Sequence, residues 1–187
     1  MRPPSPKSRA RAFTLIEAMI VVAIVGILSV LAIVAYRRWI FTAYMAEAHD
    51  MLSNIRAAEE SFRAENGTYL NVSGGLGLNY TYPAAVPGPF KTSWGGACAN
   101  CAVSWSTLNV ESKAPVAFGY SVVADTQATD AHVPTSITLD NALVNVTPPT
   151  YPAYAAEAVG DIDGNLQYCH VFVFSGTNQF FVDNEGE

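Results

Sequence analysis

The chain has 187 residues, half of them apolar, with ten Lys and Arg against 16 Asp and Glu, room for one ordinary domain and an additional element. Four of the basic residues lie in the first 12 positions with no acid among them, and the other six face all 16 carboxylates, a formal charge of −10 for the remainder. From Gly67 onward Lys91 and Lys113 stand against ten carboxylates, which repels phosphate backbones and excludes sequence-independent nucleic-acid binding from the expected functions of that part.

Residues 1–12 (MRPPSPKSRARA) form a cationic leader carrying Arg2, Lys7, Arg9 and Arg11. The 19 residues from Ala18 to Tyr36 carry no charge. As a helix they would cover roughly 28 Å, close to the hydrocarbon thickness of a bilayer. Their apolar character runs all the way round, with no polar stripe, which predicts a membrane segment and not the core helix of a soluble domain. A cationic leader before such a stretch holds the N-terminus in the cytoplasm, and its four cations outnumber Arg37 and Arg38 beyond the span. No small-residue cleavage site follows Tyr36, where the chain continues YRRWIFTAYM, so the helix is expected to stay in the mature protein. Glu17 sits at the edge of the span. A carboxylate costs on the order of 3 kcal/mol at the bilayer centre and less near its edge, so an ionisable residue there is by default a functional candidate.

The junction and its sequel, RAFTLIEAMIVVAIVGIL, resemble the class III signal of type IV prepilins and pseudopilins. The resemblance implies a cut between Ala12 and Phe13 by a prepilin peptidase, N-methylation of Phe13, and assembly through Glu17, the fifth residue of the mature chain. In that family the Glu pairs with the free N-terminal amine of a neighbouring subunit. Such a pair neutralises two charges that would otherwise lie alone in lipid or in a filament core. The implied partners are identical or related pilin subunits in a helical filament, the peptidase, an inner-membrane assembly platform, and lipid before assembly. The implied location is the bacterial inner membrane as a precursor, then an extracellular or periplasmic filament. Two positions depart from the family pattern: Ala12 stands where Gly is usual, and Val34 where many major pilins carry Pro.

Beyond Arg37 the helical pattern is expected to continue to about Asn66. Ala48, Met51, Ile55, Ala58 and Phe62 recur at spacings of three and four and mark one buried stripe, with Asp50, Asn54, Arg56, Glu60 and Arg63 mostly on the other face. Gly67 suits a C-cap. Residues 67–116 are rich in Gly, Pro, Ser, Asn and Tyr and read as a long irregular connector. Strand signals follow at Ala117–Ala124, Ser136–Val146, Tyr154–Ile162, Leu166–Ser175 and Gln179–Asp183, with a hairpin turn at Asp163-Gly164-Asn165. The expected fold is α+β: a long N-terminal helix packed on a small antiparallel sheet, a pilin-like lollipop with one sheet face on the helix stripe. Its expected parts are the cytoplasmic leader 1–12, the hydrophobic transmembrane and assembly helix 13–36, an amphipathic continuation 37–66, the connecting region 67–116 and the sheet region 117–187.

Other candidate sites are weaker. Asp161, Asp163 and Asn165 offer oxygen atoms at alternate positions, but Phe172 stands where a calcium loop needs Glu, so a tight turn is the better reading and no metal is expected. Cys98 and Cys101 have redox or zinc-like spacing without a second pair. A structural disulfide is expected, either tying the connector to the Cys169 strand or, as the alternative, closing Cys98 to Cys101. His49, His132 and His170 form no recognisable catalytic or ligand set, no phosphate loop follows a strand, and neither enzymatic activity nor a cofactor is expected. The function implied is a structural subunit of a type IV pilus, major or minor, serving adhesion, motility or related surface roles. A pseudopilin of a type II secretion system and a tip-located minor pilin acting as a binding module are the alternatives.

Overall fold

A computed structural model describes residues 14–83, 87–95, 98, 100–148 and 150–185. The chain divides into two compact units, one ending at Ile40 and one beginning at Phe41. A single helix, α1 (Leu15–Asn66), contributes to both.

In the first unit the large apolar side chains from Leu15 to Tyr36 are between 53% and 79% exposed. Nothing within the unit covers them. Ser29, the one aliphatic hydroxyl in the apolar run, donates to the Val25 carbonyl at 2.7 Å, so it presents no unsatisfied donor to an apolar environment. Gly26 has open space where a Cβ would stand.

The second unit is the α+β body. After the end of α1, Gly67 takes a φ of +78° and its N–H donates to the Arg63 carbonyl at 2.8 Å, an αL cap that satisfies one of the last free carbonyls. The strands are β1 (Gly119–Asp125), β2 (Ser136–Leu139), β3 (Ala142–Asn145), β4 (Ala153–Gly160), β5 (Cys169–Phe174) and β6 (Phe180–Asp183). A four-stranded antiparallel sheet has the order β1-β4-β5-β6. The β2–β3 hairpin is a separate pair, inserted between β1 and β4 in the chain. Its two-residue turn, Asp140-Asn141, has φ of 47° and 64°, the positive values that a type I′ hairpin turn requires.

Met45, Ala48, Met51, Leu52 and Ile55 of α1 share one buried cluster with Tyr120 and Val122 of β1, Tyr154, Ala156 and Ala158 of β4, and Val171 and Val173 of β5. Leu52 and Ile55 are fully buried, each worth about 2 kcal/mol of transfer free energy. Alanine is a poor strand former, yet β4 is rich in it: Ala156 and Ala158 pack on the helix side and Ala155 on the opposite face. Ala58 and Phe62, expected in the stripe, pack on its edge and are partly buried.

The sequence reading placed one sheet face on the helix. The structure buries the other face too. Val123, Ala155 and Phe174 point away from α1 and pack with Val133 and Ile137 beneath the β2–β3 hairpin. Every residue of β1 and β4 is buried in consequence, and two covered faces explain why those strands lack the apolar–polar alternation of a sheet with one solvated face. The β4–β5 connection also differs from a tight hairpin, since residues 161–168 form an eight-residue loop.

Candidate assembly surface

The start of α1 is built from Thr14 and Glu17. Thr14 N–H and Thr14 Oγ1–H both donate to Glu17 Oε2, at 2.8 and 2.7 Å, and Glu17 N–H donates back to Thr14 Oγ1 at 3.3 Å. This is a capping box, in which the N-cap hydroxyl and the third helical carboxylate satisfy each other's backbone donors. Reading the carboxylate as a functional residue passed over this local role. The pattern Thr14-Leu15-Ile16-Glu17 carries the signal, a Thr three residues before a Glu at the head of an apolar run. Both bonds fall on Oε2, and among the described residues Oε1 takes no hydrogen bond. The junction residues Ala12 and Phe13 lie outside the described residues. What is described of this surface is therefore a capped helix start, one carboxylate held in a fixed position, and the exposed apolar stretch that follows it.

The second unit anchors its connector on the continuation of α1. Glu47 Oε1 accepts from Ala117 N–H at 2.6 Å while its other oxygen pairs with Lys91 Nζ. Glu59 accepts from Leu70 N–H at 2.9 Å, is fully buried, and has no partner for Oε1. Burial pushes its pKa up to about 8, with the neighbouring Glu60 charge adding to the rise and the Leu70 N–H opposing it.

Cys98 and Cys101 are joined by a disulfide with a Cα–Cα separation of 5.4 Å. Cys169 is free and fully buried, its Sγ 3.8 Å from Met45 Sδ. The expected tie between connector and Cys169 strand is therefore replaced by the local pairing. Cys169 points from β5 into the helix-facing core, where burial, assisted by the Glu185 and Asp183 charges, pushes its thiol up to about 12. A ring this short removes little chain entropy, so changing both Cys98 and Cys101 to Ser is expected to cost about 2 kcal/mol, measurable by denaturant unfolding.

In the β4–β5 loop, Asp161 is 2% exposed and accepts from the N–H groups of Gly164, Asn165 and Leu166 at 2.8–3.2 Å. Asp163 accepts from Asn165 N–H and Nδ2. These oxygens are turned on the loop's own amides, an Asx arrangement that holds a turn. Among the described residues no group of three or more His, Cys, Asp or Glu is gathered as a metal-ligand set. His132 and His170 each bond a buried carboxylate through Nδ1 at 2.7 Å, Asp125 and Glu157 respectively. Glu157 also accepts from Gly77 N–H and Ser121 Oγ–H, so it holds the connector against β4.

Residues 7–33 match the family model described as the prokaryotic N-terminal methylation motif. The chain is 35% identical over 63 residues to the fimbrial protein EcpC of Eikenella corrodens, covering 34% of this chain and 41% of that protein. It is 39% identical over 70 residues to the type IV major pilin protein PilA of Myxococcus xanthus (strain DK1622), covering 37% of this chain and 32% of that protein. The similarity thus spans well under half the length of these curated relatives. No solved structure gives a significant match.

Proposed function

We infer that this chain, type IV pilin-like by its methylation motif and its similarity to pilin and fimbrial proteins, is a structural subunit of a surface filament. It is made as a precursor anchored in the inner membrane, cut between Ala12 and Phe13 by a prepilin peptidase, methylated at Phe13 and assembled through α1 by an inner-membrane platform. The observation that carries this reading is the run of large apolar side chains on α1, more than half exposed throughout, headed by a single capped carboxylate. An apolar surface of that length needs lipid before assembly and the equivalent helices of other subunits afterwards. Its removal from lipid is close to neutral only if the new surroundings are equally apolar and the one charge finds a partner. The free amine of Phe13 on a neighbouring subunit is that partner, meeting Glu17 through Oε1.

Mass spectrometry of the mature N-terminus tests the reading directly. The expected species begins at Phe13 and carries an N-methyl group. A mature chain that retains residues 1–12, or one cut after Tyr36, refutes it. Abundance in sheared filaments then separates a major pilus subunit from a minor one or from a secretion pseudopilin.

A further inference from the structure

The pattern Asn-x-Ser/Thr, with x other than Pro, marks an acceptor for N-linked sugar in an exported chain. It occurs at Asn66-Gly67-Thr68, Asn71-Val72-Ser73, Asn79-Tyr80-Thr81 and Asn145-Val146-Thr147. The chemistry needs an open amide nitrogen, together with a hydroxyl two residues on that turns back to the Asn carbonyl oxygen in an Asx turn. At Asn66 the side-chain Nδ2 donates to the Phe62 carbonyl at 3.0 Å, and the Thr68 hydroxyl donates away, to the Tyr69 carbonyl at 3.4 Å. Asn71 is half-buried, and Ser73 is fully buried with its Oγ accepting from Val122 N–H at 3.1 Å. Asn79 is exposed, but Thr81 is buried and its hydroxyl donates to the Leu78 carbonyl at 3.1 Å. Asn145, the last residue of β3, meets both needs. Its Oδ1 accepts from Thr147 N–H at 2.9 Å and from Thr147 Oγ1–H at 2.6 Å, and the same hydroxyl makes a longer contact of 3.3 Å with the Thr135 carbonyl. A backbone N–H can only donate, so the carboxamide oxygen faces Thr147 and Nδ2 faces away. Asn145 and Thr147 are both exposed, and no acceptor among the described residues holds Nδ2.

We propose that Asn145 is a glycosylation site, carrying an N-linked glycan on Nδ2 that a transferase supplies from a glycosyl diphosphate donor. The hydrogen bonds on Oδ1 polarise the carboxamide, which makes an Nδ2 proton easier to remove. A base of the transferase takes that proton and Nδ2 bonds to the anomeric carbon. The bond from that carbon to the diphosphate oxygen breaks, and the diphosphate leaves with the electron pair. The place on the fold suits the modification. β3 pairs with β2 alone among the described residues, so its outer edge offers backbone groups to any passing strand. Ile137 and Val144 of the hairpin turn inward, while Leu143 and Asn145 alternate to the outward face. Leu143 is 76% exposed there. A glycan on Asn145 lies beside Leu143 and shields both the apolar side chain and the free edge. The hairpin covers the sheet face opposite α1, so the sugar leaves the helix side of the sheet clear. From the function proposed above this inference takes one premise, that the second unit is exported.

The test uses the full chain isolated from the cells that make it. Endoproteinase Asp-N cuts before Asp140 and Asp161 and releases residues 140–160, a peptide holding Asn145 and no other acceptor pattern. Electron-transfer fragmentation in a mass spectrometer is expected to place a sugar mass on Asn145. Asn145→Gln and Thr147→Ala are each expected to abolish that mass. Thr147→Ser is expected to retain it, since a serine hydroxyl reaches the same oxygen. An unmodified wild-type peptide overturns the proposal. So does a sugar mapped to a threonine, a glycan on Asn66, Asn71 or Asn79 with Asn145 bare, or one that persists on Asn145 in Thr147→Ala. The mapped peptide is separate from the N-terminus at Phe13, so failure here and failure of the filament reading are told apart.

Discussion

Glu17→Gln and Glu17→Ala are both expected to reach the membrane at wild-type levels and to lower the yield of sheared filaments by roughly tenfold or more, the scale of an unpaired charge in an apolar core. The two variants separate the carboxylate's two roles. In the free chain Glu17 Oε2 accepts from Thr14 N–H and Oγ1–H. Glutamine keeps an acceptor oxygen at that place and so keeps the capping box, while alanine removes it at a cost of about 1 kcal/mol to the helix start. A loss common to both variants therefore reports the missing charge, and any further loss in Glu17→Ala reports the cap. Immunoblots of membrane and sheared fractions supply the measurement. Wild-type filament yield from Glu17→Gln would show that the charge has no part in assembly.

Glu59→Gln is expected to stabilise the second unit at pH 8 by a few kcal/mol and to flatten its dependence on pH. Glu59 is fully buried with one oxygen lacking a partner, and burial holds its folded pKa near 8 against an ordinary value of 4.5. Between those two values the folded carboxyl keeps its proton and the unfolded one has lost it. The unfolded state then binds fewer protons, so stability falls as pH rises. The contribution is fully present below about pH 4.5, declines progressively to about pH 8, and is flat above. A glutamine retains the acceptor for Leu70 N–H without a titrating group. Denaturant unfolding of the full chain, followed by tryptophan fluorescence at several pH values, reads both slopes. Parallel slopes in wild type and variant would assign the pH dependence to other groups.

The contrast between these residues shows what a linear reading can reach. Glu17 stood out because a charge beside 19 uncharged residues is anomalous in any conformation. Glu59 did not, although it lies four residues beyond Ile55 on the buried stripe. A stripe defined by apolar residues skips a carboxylate, and its burial depends on Leu70 closing over it from the connector. Strand positions were legible because their β-branched and aromatic runs are local. The double burial of β1 and β4 was not, since it depends on where the β2–β3 hairpin folds back. Cysteine pairing was equally beyond reach: Cys169 had the right chemistry, but β5 turns it toward Met45 and α1.

By itself the sequence determined that one end of the chain is an uncharged helix behind a cleavable-looking, cationic leader, with Glu17 at its head. Hydropathy, charge order and the Ala12–Phe13 junction are properties of consecutive residues, and they need no partner to be expressed. The tertiary structure alone decided that Cys98 pairs with Cys101, that Glu59 is sealed from water, and that Tyr82, Trp94 and Trp105 pack ring against ring. The capping box closes over three residues and had a readable pattern. Glu59 of α1 meets Leu70 of the connector, and the aromatic cluster joins segments up to 23 residues apart in a connector without periodicity, where only the folded backbone brings them together.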